Sequence, residues 1–217
     1  MASASLFYAQ GFTPTGLVLN HGATIIDKAL RLTDAGGNEA RSAFYQSEMD
    51  VRSFTTQFRF KISPGAAADG FTFCLQGGEP TAVGAPAGGL GYQGLTKSAA
   101  VKFDLYSNDG EGPNSTGLYL NGAKPTNAGA MDLTPSGIDL HSGRTYEATI
   151  DYKDKKLTLT IVDVQDKAKR FSHTFDVDAP TAVGGSTAHV GFTGGTGGAS
   201  ATQEILSWTW KSADAGQ

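Results

Sequence analysis

Hydrophobic and polar side chains alternate at every second residue along much of this chain. Successive side chains of a β-strand point to opposite faces, so a period of two predicts strands buried on one face. The stretch SFTTQFRFKI, at residues 53–62, shows this pattern over a full strand length. It divides into an apolar row, Phe54, Phe58, Phe60 and Ile62 with Thr56, and a polar row, Thr55, Gln57, Arg59 and Lys61.

The same alternation recurs in FTFCLQ, YEATIDY, KLTLTIV and ILSWTW, and turn-forming clusters such as DAGGN, NDGEG and TGGTGG separate the runs. In ILSWTW the pattern predicts that Leu206, Trp208 and Trp210 share the buried face. No segment carries a helical stripe over three turns. We therefore predict an all-β fold with at least nine strands, arranged as two antiparallel sheets packed into a sandwich.

Length, charge and cysteine content narrow the class of protein. A chain of 217 residues suits one sandwich domain, so we expect a single domain over residues 1–217 with its core at about 5–211. The net charge of −4, without a basic block, argues against nucleic acid, and the absence of a long apolar run argues against membrane insertion. With one cysteine there is no internal disulfide. The first ten residues lack the features of a signal peptide.

The sequence lacks the motifs of several enzyme classes, or contains them where the flanking residues do not predict the required structure. The four histidines lack zinc-site spacing, and GLGYQG at residues 89–94 precedes a strand instead of the helix that a dinucleotide site requires. Cys74 alternates with core residues and is expected to be a small apolar filler. A retaining glycosidase needs two carboxyl groups about 5–5.5 Å apart, whereas Asp104 is flanked by Lys102 and Asn108. We expect a protein without enzyme activity.

One strand carries an unusual row of polar residues and runs into an acidic, glycine-rich loop. In VKFDLYSNDGEGPNSTG, at residues 101–117, the second, fourth, sixth and eighth positions are Lys102, Asp104, Tyr106 and Asn108. Taken alone, these residues are compatible with a solvated sheet edge, an acid pair that has lost one member, a metal site or a sugar site.

Five segments, in the same order, resemble the legume-type (L-type) lectin domain. GNEARSAFYQSEMDVRSFTTQFRFKI resembles the family's "G.ALY" stretch before "SF.T.F.F.I", and AAADGFTFCLQG resembles "PADGLAFFLA". AGGLGYQG resembles "GGFLGLF", VKFDLYSN resembles "VEFDTYSN", and HVGFTGGTGGASATQEILSWTW resembles "VGFSA.TG....HDILSWSF". The resemblance covers nearly the whole chain, in the branch found as modules of bacterial extracellular proteins. It implies a concanavalin A-like jelly-roll sandwich.

The resemblance implies a sugar site built from loops. Asp69 matches the family's pocket aspartate, Gly88 or Gly89 its loop glycine, Asn108 its asparagine and Tyr106 its aromatic residue. These groups suit the chemistry, because a carboxylate accepts hydrogen bonds from vicinal hydroxyls, backbone and amide N–H groups donate, and a ring covers the C–H face of a sugar.

Two further features follow from the resemblance. The loop at residues 193–201 matches the family's variable specificity loop and, with small side chains, predicts an open and shallow edge. The bond between Ala68 and Asp69 matches a cis peptide bond that the family's metal helps to hold. Without a metal, either other contacts hold this bond in the cis form or it is trans and the site is reshaped.

The chain departs from the family at its two metal sites. Lys102 replaces the glutamate of the transition-metal site and no histidine follows in the loop, so this site is predicted to be lost. Oxygens for one Ca²⁺ remain in Asp104, the Tyr106 carbonyl and Asn108, and Asp109 or Glu111 is the candidate for the missing carboxylate, with Glu111 preferred. The competing hypothesis is that the Lys102 ammonium occupies the metal position and neutralises Asp104.

The resemblance predicts a non-catalytic domain that recognises a glycan or polysaccharide. The alternative is a structural or adhesive interaction module that has lost sugar binding. We expect a secreted or cell-surface protein whose signal sequence is not in this chain, without nucleic-acid partners or membrane insertion, and with homodimerisation through sheet edges as an option.

Overall fold

The structure, a computed structural model, describes residues 5–213 and is nearly all β within that range. The strands are β1 (Ser5–Tyr8), β2 (Leu17–Asn20), β3 (Thr24–Ile26), β4 (Ala29–Thr33), β5 (Ala40–Tyr45), β6 (Met49–Asp50), β7 (Phe54–Ile62), β8 (Gly70–Gln76), β9 (Ser98–Asp104), β10 (Ser115–Leu120), β11 (Met131–Asp132), β12 (Thr145–Lys153), β13 (Lys156–Asp163), β14 (Arg170–Asp176), β15 (Thr187–Gly195) and β16 (Gln203–Ser212). A short α-helix, α1, spans Ala179–Val183, and 3₁₀ helices span Ala87–Gly89 and Thr134–Ser136.

The strands form two antiparallel sheets, which confirms the predicted sandwich. The back sheet has the order β14-β13-β12-β7-β16-β4-β3, with β1 also paired to β16. The front sheet has the order β11-β10-β9-β8-β15-β5-β2, with β6 also paired to β15. In both sheets strands distant in sequence are neighbours, so the loops at one end of the front sheet come from separate parts of the chain.

The alternating residues pack their apolar rows between the sheets. In β7 every second residue is buried, as the sequence predicts. The ring of Phe58 meets Phe192 of the front sheet with 5.0 Å between ring centroids, and Phe71 stacks on Phe103 at 4.6 Å. Each such side chain contributes about 1.5–3 kcal/mol by leaving water, so this layer holds the two sheets together.

The prediction that Leu206 shares the buried face of β16 is wrong. The pairing of β16 with β7 shifts register between Ile205 and Ser207. A bulge adds a residue and reverses the alternation on its far side. Ile205 is therefore buried with Trp208 and Trp210, and Leu206 is only partly buried.

The central strands of the front sheet are buried on both faces. Every residue of β8 and β9 is buried, because loops cover the face that points away from the sandwich interior. A second apolar cluster lies under these loops and includes Cys74, Tyr92 and Tyr119. Burial raises the pKa of the Cys74 thiol, consistent with the predicted role as an apolar filler. Within residues 5–213, none of the helices has the length and hydropathy of a membrane-crossing segment.

Candidate functional site

Four loops enclose a cavity of about 350 Å³ at one end of the front sheet. This volume lies near the lower end of the range for small-molecule sites in proteins. Asp69 and Asn108, which are distant in sequence, share the cavity, as the resemblance implied. The lining residues are Ala68, Asp69, Ala87, Tyr106, Asn108, Gly197, Gly198 and Ala199.

A larger hollow of about 580 Å³ lies on the outer face of the back sheet. Several of its polar groups have partners: Thr55 donates a hydrogen bond to Asp151, and Lys156 is paired with Asp176. These contacts lie on an exposed strand surface where ion pairs contribute little. The smaller cavity is the stronger candidate because it contains a buried group whose hydrogen bonding is incomplete.

Asp69 provides that buried group. Its side chain is almost inaccessible, with 3% of the residue exposed, and Oδ2 has no hydrogen-bond partner among the described residues. The backbone is fixed, since Asp69 N–H donates to Gly195 O at 3.2 Å and Leu105 N–H donates to Asp69 O at 2.7 Å. The Ala68–Asp69 peptide bond is cis, as in the family that the sequence resembles. Burial raises the pKa of Asp69 to about 6.

The 3₁₀ helix Ala87–Gly89 distinguishes the two candidate glycines. A Cβ on Gly88 would lie 2.6 Å from the amide atoms of Asn108, so only glycine permits this contact. A Cβ on Gly89 would instead meet Ala85 at 2.9 Å, and the Gly89 N–H already donates to Pro86 O at 3.0 Å. The structure therefore brings Gly88, and not Gly89, against Asn108.

Tyr106 presents its ring at the edge of the cavity. Strand β9 ends at Asp104, and Leu105 then turns into the core while Tyr106 is 48% exposed. The Tyr106 N–H donates to Asp104 Oδ1 at 3.2 Å, which fixes the start of the loop. The exposed ring of Tyr106 thus lies in the lining of the cavity, which is the position that the resemblance implies for the family's aromatic residue.

The loop at residues 196–200 closes the cavity and is held by a neighbouring loop that sequence reasoning missed. Asn38 N–H donates to Gly197 O at 3.0 Å, and Thr196 Oγ1 donates to Gly36 O at 2.8 Å. In the sequence this supporting loop, DAGGN, gives only a turn signal.

An ion network fixes the supporting loop. Arg41 binds both Asp34 and Glu39, and Asp34 N–H donates to Glu39 Oε2 at 3.0 Å. Burial, together with Asp34, raises the pKa of Glu39, whereas the hydrogen bond with Glu39 lowers the pKa of Asp34. The loop at residues 196–200 is thus held by a neighbouring loop whose shape is fixed by the ion pairs of Arg41.

Lys102 and Asp104 form a buried ion pair beneath the cavity loops. Lys102 is fully buried and its Nζ donates to Asp104 Oδ2 at 2.8 Å. It also donates to Pro125 O and Thr126 O, both at 3.0 Å. Burial raises the pKa of Asp104, and the nearby Lys102 ammonium opposes that rise and favours the ionised carboxylate. The alternative of a solvated sheet edge is therefore wrong for Lys102 and Asp104, because both side chains lie inside the protein.

The oxygen atoms that could bind a metal here already accept hydrogen bonds, so they do not fit the family's metal ions. The Lys102 ammonium takes one oxygen of Asp104 and Tyr106 N–H takes the other. Both oxygens of Glu111 accept backbone N–H bonds, from Asn108 at 2.9 Å and Asp109 at 2.7 Å. Among residues 5–213, no three His, Cys, Asp or Glu side chains are grouped to hold a metal. The predicted calcium set is thus not assembled as a cage of 6–8 free oxygens.

A two-sheet sandwich with a polar, loop-built cavity of this kind defines a carbohydrate-binding lectin fold. The sequence matches the Legume lectin domain over residues 4–217, and the chain belongs to that family. A lectin from Leucomphalos mildbraedii is 30% identical over 213 residues, which cover 86% of this chain and 85% of that protein. The lectin alpha chain of Lablab purpureus is 29% identical over 242 residues, covering 97% and 83%.

A solved structure shows the same fold. The lectin from Bauhinia forficata, in complex with GalNAc, superimposes with a TM-score of 0.84 at 23% identity, over 99% of this chain and 100% of that chain. The predicted concanavalin A-like architecture is confirmed.

Proposed function

We propose that the protein binds one sugar residue of a glycan or polysaccharide in the cavity lined by Asp69, Tyr106 and Asn108, with Gly88 packed behind the Asn108 amide. The observation that carries the proposal is Asp69 Oδ2, which is buried without a partner. A buried acceptor without a donor costs about 1–3 kcal/mol, and a sugar hydroxyl supplies the missing donor.

Each remaining group contributes a different contact. The amide of Asn108 lies in the same cavity as the Asp69 carboxylate and can donate to a sugar oxygen, while the Gly88 N–H is the proposed backbone donor behind it. The exposed Tyr106 ring covers the C–H face of the sugar. Gly197 leaves room next to Asp69, since a Cβ there would lie 3.2 Å from Oδ2.

Binding proceeds without catalysis. Glycoside hydrolysis of the retaining type needs two carboxyl groups about 5–5.5 Å apart. Asp69 is the one carboxylate in the described lining of the cavity, while Asp104 and Glu111 are engaged in contacts below it. This arrangement favours recognition over bond cleavage, and the free Asp69 oxygen favours sugar binding over a purely structural module.

The proposed setting is outside the cell or on its surface, in a module of the bacterial extracellular type. Glycans are accessible there, and weak single sites gain strength when several are linked. Homodimerisation stays a prediction, to be checked by measuring the mass in solution.

A sugar titration tests the proposal. Wild-type protein is titrated calorimetrically with GalNAc, galactose, glucose and mannose, and is also applied to a polysaccharide array. Asp69→Ala and Asn108→Ala are compared with Thr158→Ala, an alteration on the distant back sheet. We expect at least one sugar to bind, with the affinity lost in the two cavity variants and retained in the control. Failure of every sugar and polysaccharide to bind, or binding unchanged by Asp69→Ala, would refute the site.

A further inference from the structure

The Lys102 ammonium is an internal cation with a complete set of partners. Its three N–H bonds match three acceptors: Asp104 Oδ2 at 2.8 Å and the carbonyl oxygens of Pro125 and Thr126 at 3.0 Å each. An ammonium group has three donors and no acceptor, so this environment leaves none of its hydrogen-bonding capacity unused. The Asp104 carboxylate balances its charge, as a buried cation requires.

This ammonium links two segments of the chain. Asp104 ends β9 and leads into the loop with Tyr106 and Asn108, whereas Pro125 and Thr126 belong to the connection between β10 and β11. The Asp104 oxygen that does not bind Lys102 accepts the Tyr106 N–H at 3.2 Å. One chain of contacts therefore runs from the connecting loop, through Lys102 and Asp104, to the aromatic wall of the cavity.

Glu111 holds the second half of the same loop. Its two oxygens accept the N–H groups of Asn108 and Asp109 at 2.9 and 2.7 Å. The residue is buried, with 8% exposed, although it lies in an otherwise exposed loop. A carboxylate that binds two backbone N–H groups fixes the backbone that carries the Asn108 amide.

We infer that Lys102 and Glu111 replace divalent metal ions as the groups that hold the cavity loops, so that sugar binding is independent of metal. This inference rests on the proposed function. A divalent ion at Asp104 would have to displace an ammonium group held by three hydrogen bonds, or approach it against like-charge repulsion in a medium of low dielectric constant. Removal of the ammonium alone would also leave the carboxylate buried and unpaired.

Wild-type protein with and without chelator gives the first test. After exhaustive treatment with EDTA, binding of GalNAc and the other three sugars should stay within about twofold of the untreated value. Titration with Ca²⁺ and with Mn²⁺ alone should give no binding heat, and neither ion should raise the unfolding temperature. Loss of sugar binding by about tenfold or more on chelation, restored by either ion, would overturn the inference.

Sugar binding tests the proposed function, and the metal titrations test whether binding is independent of metal. If no sugar binds with or without chelator, the proposed function fails. The metal titrations still decide the inference in that case, because ion binding with a rise in unfolding temperature contradicts it and its absence supports it.

A matched pair of lysine variants tests the role of the ammonium. Lys102→Met should weaken sugar binding by about tenfold or more, while Lys124→Met, which removes an exposed lysine paired with Asp109, should leave it within about twofold. Wild-type affinity in Lys102→Met contradicts the inference. If Lys102→Met does not fold, the chelation and metal titrations of the wild-type protein decide.

Discussion

The side chain of Asn108 packs against Gly88 so closely that a methyl group on Gly88 would lie 2.6 Å from the amide nitrogen. Real Cβ atoms do not approach other atoms to that distance, so Gly88→Ala must displace the amide. We expect sugar affinity to fall by about tenfold or more, measured by calorimetric titration with the sugar that binds wild type best.

Gly198→Ala is the matched control for this change. Gly198 lines the same cavity, and a Cβ there meets nothing within 4 Å. Its affinity should stay close to wild type. Equal losses in the two variants would show that any added methyl is harmful and that the Gly88–Asn108 contact has no special role.

The charge state of Asp69 should control sugar affinity. Burial raises its pKa to about 6, and only the ionised form offers both oxygens as acceptors. We expect the affinity to decline as the pH falls through about 6, by up to about tenfold per pH unit below it. Asp69→Asn should bind weakly at pH 7 and lose this pH dependence. An unchanged profile in Asp69→Asn would rule out Asp69 as the controlling group.

The raised pKa of Asp69 also predicts that its ionised form lowers the stability of the folded protein. The folded-state pKa of Asp69 lies above its ordinary value of 3.8, so its contribution to stability is complete below about pH 4 and is lost as the pH rises through about 6. At pH 7, Asp69→Asn should raise the free energy of unfolding by about 1–2 kcal/mol, a gain of a few degrees in Tm. Thermal unfolding at pH 4 to 7 measures it, with Asp176→Asn, an exposed carboxylate, as control. A variant less stable than wild type at pH 7 would contradict the prediction.

The Lys102–Asp104 pair should show strong energetic coupling. Lys102→Met leaves a buried carboxylate without its cation, and we expect a loss of about 3–5 kcal/mol in the free energy of unfolding. Asp104→Asn should also destabilise, but the double variant should lose much less than the sum. Denaturant unfolding measures the cycle.

The exposed pair Lys124–Asp109 gives the comparison. Both side chains are 46% exposed, so the corresponding cycle with Lys124→Met and Asp109→Asn should give a coupling below about 1 kcal/mol. Equal couplings in the two cycles would mean that burial adds nothing to the Lys102–Asp104 interaction.

Glu111 should matter for binding more than its acidic neighbour. In Glu111→Gln one of the two backbone N–H groups loses its carboxylate oxygen, which loosens the loop at Asn108. We expect sugar affinity to fall by about three- to tenfold, measured with the same titration. Asp109→Asn, whose side chain binds Lys124 at the surface, should leave affinity unchanged. A loss confined to Asp109→Asn would contradict this assignment.

The sandwich follows from the sequence because alternation is a local property. A period of two fixes which side of β7 or β12 is buried without knowledge of its partner strand. The error at Leu206 shows where a prediction from alternation fails. The bulge depends on the pairing between β16 and β7, and no residue type in ILSWTW indicates it. The resemblance placed Asp69 and Asn108 in one cavity, which no local pattern predicts.

The sequence suggests the contact between Lys102 and Asp104, which the structure shows, but the other supports of the candidate site could not be predicted from it. The acceptors around Lys102 are backbone carbonyls at Pro125 and Thr126, and carbonyls carry no sequence signal. The choice between Gly88 and Gly89 likewise depends on which one meets Asn108 across a loop contact. In both cases the deciding contact joins segments whose relative position only the folded chain defines.

The ammonium of Lys102 is covalently tethered to the polypeptide, whereas a bound metal ion has to be acquired from the surroundings after folding. A tethered cation cannot be diluted away, exchanged for a competitor or stripped by phosphate or citrate in the surroundings. If the ammonium replaces the metal ions as inferred, each molecule acquires its cation during translation, and the concentration of divalent ions in the surroundings would not change how many molecules can bind.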